Sequence, residues 1–240
     1  MLKPYEQLSR LYDAGWGDFS IHYVSLINEL LRERHITQAR ILDLACGTGI
    51  LAVELSRFGH IVHGIDISPE MIDIAKSKAA GLPDVSFNVG DMVEFYFDGE
   101  FDLVTCTYDS VNYVRKIRDV RKLFSCISAV TNDKGLFLFD SNTKHMYLRH
   151  FDELQSDIHG EKFLQKCDYD TKRNLATTAF SFSDGTYEIH RQRPYSYDEL
   201  HPLLNNARFR VLQLFSWFEH IPYSSDSPKF FCVAEKLISD

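Results

Sequence analysis

No run of apolar residues in this chain approaches the length of a bilayer-crossing helix. Basic excess is missing too: 26 Lys and Arg stand against 34 Asp and Glu, a formal charge of −8. That balance argues against a broad electrostatic footprint on nucleic acid or an anionic membrane, while leaving room for a local basic pocket. The five cysteines (Cys46, Cys106, Cys126, Cys167, Cys232) form no Cys-x-x-Cys pair, and their odd number and wide spacing suit reduced thiols in a cytoplasmic protein. The opening "MLKPYEQLSRLYDAGWG" lacks the basic start, apolar core and small-residue cleavage site of a secretory leader. Repeats and low-complexity segments are also missing. What is left is 240 residues, 45% hydrophobic, enough for one α/β domain or one such domain with a sizeable insertion.

From Tyr23 to Ser141 strand and helix alternate. "HYVSLINELLRE" carries Tyr23, Ile27, Leu30 and Leu31 on one helical face, "ARILDLA" reads as a buried strand, and "GILAVELSRFG" as a helix closed by Gly59. "HIVHGID" is a second strand, and Ser68 then caps a helix with Pro69 at its first position. "VSFNVG", "FDLVTCT" and "GLFLFDS" complete five strands, the last preceded by the amphipathic "VRKIRDVRKLFSCISAV". This rhythm predicts a doubly wound, mostly parallel sheet with helices on both faces. It stops near Lys144. As far as Tyr195 the chain offers strand-like stretches separated by the turn signals "DTKRN" and "SDGT". Ser196 and Glu199 resemble a capping box opening a helix, and "FRVLQLFSWFE" and "KFFCVAEKL" predict two final antiparallel strands, seven in the main sheet altogether. The expected organisation is an N-terminal lid and ligand-binding core over 1–143, an inserted antiparallel β subdomain over 144–195 above the carboxyl edge of the main sheet, and the rest of the core over 196–240.

Open parallel sheets bind ligands beyond the carboxyl ends of their strands, where strand order reverses. "ILDLACGTGI" places a glycine turn there, directly after the first strand. Gly47-Thr48-Gly49-Ile50-Leu51-Ala52 fits the Gly-x-Gly-x-x-Ala pattern of dinucleotide sites, and Asp66 ends the second strand where a carboxylate can accept from ribose hydroxyls. A nicotinamide-dependent oxidoreductase is therefore one reading. Asp43 speaks against it, because a carboxylate just before the turn sits badly beside a pyrophosphate and well beside a cationic amino group.

Asp43-Leu44-Ala45-Cys46-Gly47-Thr48-Gly49 resembles the first motif of the class I S-adenosylmethionine-dependent methyltransferases. Gly64-Ile65-Asp66-Ile67-Ser68 with Met71, Gly90-Asp91-Met92, and Thr107 within the "FDLVTCTYDSVNY" strand end follow in that family's order, so the resemblance covers Ile41 to about Ser141. It implies a Rossmann-like methyltransferase fold with S-adenosylmethionine as cofactor and S-adenosylhomocysteine as product. Gly47 and Gly49 would line the methionine part, Asp66 would bind the ribose, and Asp91 the adenine amino group between Met92 and Ile67. Asp43 would act by orienting the loop or through water. A protein that binds the cofactor without turnover would keep the same motifs.

"TYDSVNY" and Glu188-x-His190-x-x-Arg193-x-Tyr195 resemble the small-molecule branch that includes glycine and amino-sugar N-methyltransferases. This implies a small acceptor, an amine in the family's pattern, with no nucleic-acid or membrane partner. Tyr108, Asp109 and His190 are the candidate catalytic residues, with Tyr113 and Arg193 as candidates for acceptor binding. Tyr5, Tyr12, Trp16, Phe19 and Tyr23 either anchor the first helix to the core or form a lid, Tyr12 then touching the methionine end. His60 and His63 are read as ordinary strand residues rather than metal ligands. Arg115, Lys116, Arg118, Arg121 and Lys122 are read as a solvated helix face, with RNA contact as the alternative.

Overall fold

The computed structural model describes residues 1–149, 153–217 and 221–238. Its elements run α1 (Ser9–Trp16), α2 (Ser20–Glu33), β1 (Arg40–Leu44), α3 (Ile50–Arg57), β2 (Ile61–Asp66), α4 (Pro69–Lys78), β3 (Val85–Val89) and β4 (Phe101–Cys106). α5 (Ile117–Val130), β5 (Thr131–Asn142), α6 (Lys144–Arg149), β6 (Glu153–Ile158), β7 (Glu161–Asp170), β8 (Leu175–Phe182) and β9 (Tyr187–Gln192) follow. The chain ends with α7 (Tyr197–Asn206), β10 (Phe209–Trp217), β11 (Ile221–Pro222) and β12 (Lys229–Lys236).

The main sheet has the order β11-β10-β12-β5-β4-β1-β2-β3. β1 to β5 pair in parallel, and β12 runs antiparallel to both β5 and β10. Successive residues of the central strands enter opposite layers. Leu42, Leu44, Phe137 and Phe139 pack with α5 and α7, whereas Ile41, Leu136 and Leu138 pack with α2 and α3. A sheet buried on both faces needs such continuous apolar strands. Strand order reverses between β1 and β4, and this opens the crevice just beyond the glycine turn.

The sheet holds eight strands rather than the expected seven, because the two-residue β11 adds an edge to β10. Phe218 and Glu219, expected at the end of β10, and His220 of the following loop lie outside the described residues. Local signals were otherwise dependable. Ser68 Oγ accepts from the Met71 N–H at 3.2 Å to cap α4, and Ser196 with Glu199 forms the capping box of α7. α1 and α6 were not foreseen; six to eight residues are too few for helical periodicity to declare itself.

β6 to β9 form a separate four-stranded antiparallel sheet. It stands over the carboxyl ends of β4 and β5, where the Arg193 N–H donates to the Asn112 carbonyl at 2.8 Å and the Tyr195 N–H to that of Asn142 at 3.2 Å. Phe163, Phe180 and Phe182 on this sheet pack against Leu8 and Leu11, with Tyr5 and Trp16 at the margin. The lead segment is thus clamped between the two sheets.

Candidate active site

A cavity of about 1270 Å³ opens at the switch point. Its floor is the turn after β1, where Ala45, Gly47 and Gly49 have φ of +54°, +54° and +75°. Ala45 adopts this left-handed conformation without glycine's freedom, at roughly 1–2 kcal/mol. Of the residues expected around the cofactor, Tyr12, Asp43, Ala45, Cys46, Gly47, Asp66, Ile67, Met71, Gly90, Asp91, Met92 and Thr107 line the cavity. Gly49 does not. A Cβ there would lie 2.6 Å from the Phe87 ring, so this glycine answers to helix–strand packing and to its φ. At Gly47 a Cβ would meet nothing within 4 Å, which leaves that backbone open for a ligand to approach.

Two buried carboxylates flank the turn. Asp66 accepts the Gly47 N–H and the Ser68 N–H, one on each oxygen and both at 2.9 Å, and each oxygen keeps a lone pair for a hydroxyl donor. Burial raises its carboxyl above the usual range, against the pull of those backbone donors. Asp43 is 2% exposed. Its side chain accepts from the Thr105 hydroxyl at 2.7 Å, and burial pushes its carboxyl up to about 7. A carboxylate held this way beside an open turn suits a cationic group and repels a phosphate. Ile67 is 68% exposed at the cavity wall, an apolar side chain available to a flat ring. Asp13 ties α1 to this floor, accepting from the Thr48 hydroxyl and pairing with Lys78 Nζ at 2.6 Å.

Of the residues expected near an acceptor, Tyr108 and Tyr113 line the cavity, together with Tyr5 and Tyr12 from the lead segment. Tyr108 and Asp109 are both left-handed, at φ +59° and +49°, the kind of local strain that collects at functional turns. Burial pushes the Tyr108 hydroxyl up to about 12. The Asp109 carboxylate turns away from the cavity wall. It pairs with Lys229 Nζ at 3.0 Å and accepts from the Gln192 amide at 2.6 Å, and it makes no side-chain cap for the turn that follows. Lys229 also reaches Asp140 at 2.7 Å, which in turn accepts from the Tyr23 hydroxyl at 2.8 Å. His190 is buried behind Tyr113, its Nδ1 2.9 Å from that hydroxyl. Arg193 is not brought to the cavity: its guanidinium pairs with Glu199 at 2.7 Å and lies over the Tyr195 ring.

Sequence reasoning assigned no role to Asp140, Lys229 or Gln192, and placed Tyr5 only among the aromatics that anchor the first helix or form a lid. For Asp140 a signal existed, an acid at the end of an apolar strand, as at Asp43. Lys229 gave none, since a lysine opening a strand reads as solvated. His60, just ahead of β2, accepts the Ala39 N–H and meets Asn28, while His63 within β2 meets Ser86. In the basic stretch, Arg118 and Lys122 pair with Asp119 and Glu94, whereas Arg115 and Lys116 line the cavity.

Fold and crevice together define a Rossmann-like enzyme of the methyltransferase type. Residues 41–135 match the family model described as a methyltransferase domain. A putative methyltransferase of Geobacillus sp. strain WCH70 is 33% identical over 208 residues, covering 82% of this chain and 84% of that one. A solved S-adenosylmethionine-dependent methyltransferase from Clostridium acetobutylicum superposes with a TM-score of 0.85 at 22% identity, over 98% of this chain and 99% of its own. An amino pentose methyltransferase from Micromonospora echinaspora, solved with S-adenosylmethionine bound, does so at 0.70 and 19%, over 98% of each. The chain belongs to the S-adenosylmethionine-dependent methyltransferases, and S-adenosylmethionine is its cofactor. The oxidoreductase alternative finds no support among these relatives. Among the described residues no helix is long and apolar enough to cross a membrane.

Cofactor affinity should depend on pH if Asp43 meets the ligand's ammonium group. A ligand ammonium favours the ionised form of Asp43, so binding below about 7 expels the proton the free carboxyl holds. Affinity should rise with pH, by about tenfold per unit well below that value in the limit of full coupling, and level off above it. Titration calorimetry between acid and mildly alkaline pH checks this, and Asp43→Asn should flatten the curve. A wild-type curve already flat would remove Asp43 from contact with the cofactor's charge.

Proposed function

We propose that the chain methylates a small-molecule amine that also carries an anionic group. The observation that carries this reading is one cavity lined by the glycine turn, by Tyr5 and Tyr113, and by the cations Lys3, Arg115, Lys116 and Arg191, with Glu6, Glu70, Asp91 and Asp119 also on its wall. None of these four cations forms an ion pair among the described residues, in a chain of net charge −8. The bound cofactor supplies an electrophilic methyl group. Gly47, Ala45, Cys46, Thr107 and Tyr12 hold its methionine part, Asp43 answers its amino group, and Asp66 holds its ribose. Asp91, with Ile67, Met71, Gly90 and Met92, holds the adenine. Residues 144–195 act as a subdomain that covers the acceptor. The amino pentose methyltransferase among the structural neighbours supports an amine as that acceptor. All five cysteines are free, which supports a reducing compartment such as the cytoplasm.

Catalysis of such a transfer asks mainly for alignment and exclusion of water, worth on the order of 7–11 kcal/mol in favourable cases. Tyr108 and Tyr113 align the acceptor, while Asp109 fixes the backbone turn that presents them. A panel of amines, alcohols and thiols, followed by release of S-adenosylhomocysteine, tests the proposal. Turnover should appear with amines bearing phosphate or carboxylate, and KM should rise with ionic strength. Turnover confined to alcohols or thiols would replace it.

A further inference from the structure

Glu188 is fully buried, and its bonds run in two directions. Oε1 accepts the backbone N–H of Gln7 at 2.5 Å and of Leu8 at 2.9 Å. Oε2 accepts the Tyr5 N–H at 2.8 Å and faces His190 Nε2 at 3.1 Å. The other ring nitrogen of His190 lies 2.9 Å from the Tyr113 hydroxyl, which lies 2.7 Å from the Tyr5 hydroxyl. One carboxylate oxygen therefore fixes both ends of a chain that closes on itself through two phenols. Tyr5 is held at φ +66°, a conformation that costs a bulky residue about 1–2 kcal/mol. Its ring stands edge-on to His190, centroids 4.6 Å apart. Tyr5 and Tyr113 line the cavity; His190 and Glu188 stand behind them.

We propose that Tyr5, Tyr113 and His190 form a proton relay that removes the proton an amine acceptor loses on methylation. Tyr5 is the catalytic residue that meets the acceptor, and Glu188 is the positioning residue that orients His190. The inference rests on the amine-methylating reading above.

In the balanced step, the nitrogen lone pair forms the N–C bond while the S–C bonding pair stays with sulfur, leaving a protonated amine. Its N–H then breaks toward Tyr5 Oη, the Tyr5 proton passes to the Tyr113 oxygen, and the Tyr113 proton passes to His190 Nδ1. Both phenols end neutral, and the imidazolium formed rests against Glu188. A carboxylate can only accept, so His190 must carry its proton on Nε2, leaving the Nδ1 lone pair toward Tyr113. Hydrogen bonds from His190 and from the N–H groups of Leu8, Gln7 and Tyr5 hold the Glu188 carboxyl below its usual range, although burial alone, the largest influence, would raise it. Burial drives both phenols far above theirs, so they pass a proton without storing the charge. Asp109 acts on both phenols and Asp66 on Tyr5 as well, with Lys229 balancing Asp109; the Phe180 ring, 5.0 Å from His190, closes the remaining side.

The first test needs no acceptor. Nitrogen-15 NMR of the imidazoles in the full chain should show neutral His190 as the Nε2–H tautomer, with a hydrogen-bonded Nδ1 whose signal shifts in Tyr113→Phe. A neutral Nδ1–H tautomer would overturn the relay. With an amine in hand, Tyr5→Phe and Tyr113→Phe should each lower kcat by about 10²-fold, leave the KM for S-adenosylmethionine unchanged and abolish the acidic limb of the kcat profile. The double variant should lose no more than either single one, because a chain is broken by its first missing link. Additive losses with the limb retained would overturn the proposal. The acceptor panel keeps the two readings apart: turnover confined to alcohols or thiols sinks the amine reading, whereas turnover of an amine with the wrong tautomer or with additive losses sinks the relay alone.

Discussion

Lys229→Met should destabilise the folded chain by about 3–5 kcal/mol, the range for breaking a buried ion pair by removing one partner. Lys229 is the cation between two carboxylates, 3.0 Å from Asp109 and 2.7 Å from Asp140, and its side chain is 10% exposed. Without it, Asp109 and Asp140 face each other inside the fold, with the Asp109 N–H already bonded to Asp140 at 2.8 Å. Relief then comes by protonation. Burial already raises the Asp109 carboxyl despite the lowering effect of Lys229, so in the variant it should rise further and the folded state will bind more protons than the unfolded one. Stability then falls as pH rises, and the deficit is larger at pH 8 than at pH 5. Denaturant unfolding at the two values measures it. A loss under about 1 kcal/mol at both would mean that the triad is solvated in practice. Lys229→Met combined with Asp109→Asn should recover part of the loss, since it removes the charge left behind.

The second large effect concerns the cofactor. Asp66→Ala should weaken S-adenosylmethionine binding by about 1.5–3 kcal/mol, the range for hydrogen bonds to a charged group. Calorimetry reads this as a Kd roughly 10- to 150-fold higher. The same change releases the Gly47 and Ser68 N–H groups that Asp66 now holds, so the free chain should also melt earlier. Titrating at a temperature well below its midpoint separates the two effects. An unchanged Kd would take Asp66 out of the site.

These expectations differ in how far the sequence alone reached. Asp66 was legible because it ends a strand at a fixed interval from a glycine turn, and such local spacing survives in the chain. So were the helices with Ser68 and Ser196 at their starts, where a cap lies within three residues of its partner. The Lys229 triad was not legible. It joins β12, β5 and the turn after β4, and the pairing of Lys229 with Asn142 across two strands is set by sheet register that no local pattern encodes. Strand alternation puts His190 and Arg193, three apart, on opposite faces: His190 is buried behind Tyr113 rather than on the cavity wall, while Arg193, beyond the end of β9, goes to Glu199. Gly49 illustrates the opposite error: the motif named the right residue, but Phe87, 38 positions away, supplies the reason a side chain is forbidden there.

Glu188 fastens residues 5, 7 and 8 through their backbone N–H groups, and a backbone grip is indifferent to side chains. Mutation can therefore rewrite the inward-facing letters of this segment without undoing its attachment. Substitution of a side chain at positions 7 or 8 leaves the anchor of this segment in place, and one buried glutamate couples the position of the lead to the second sheet rather than to the cofactor floor.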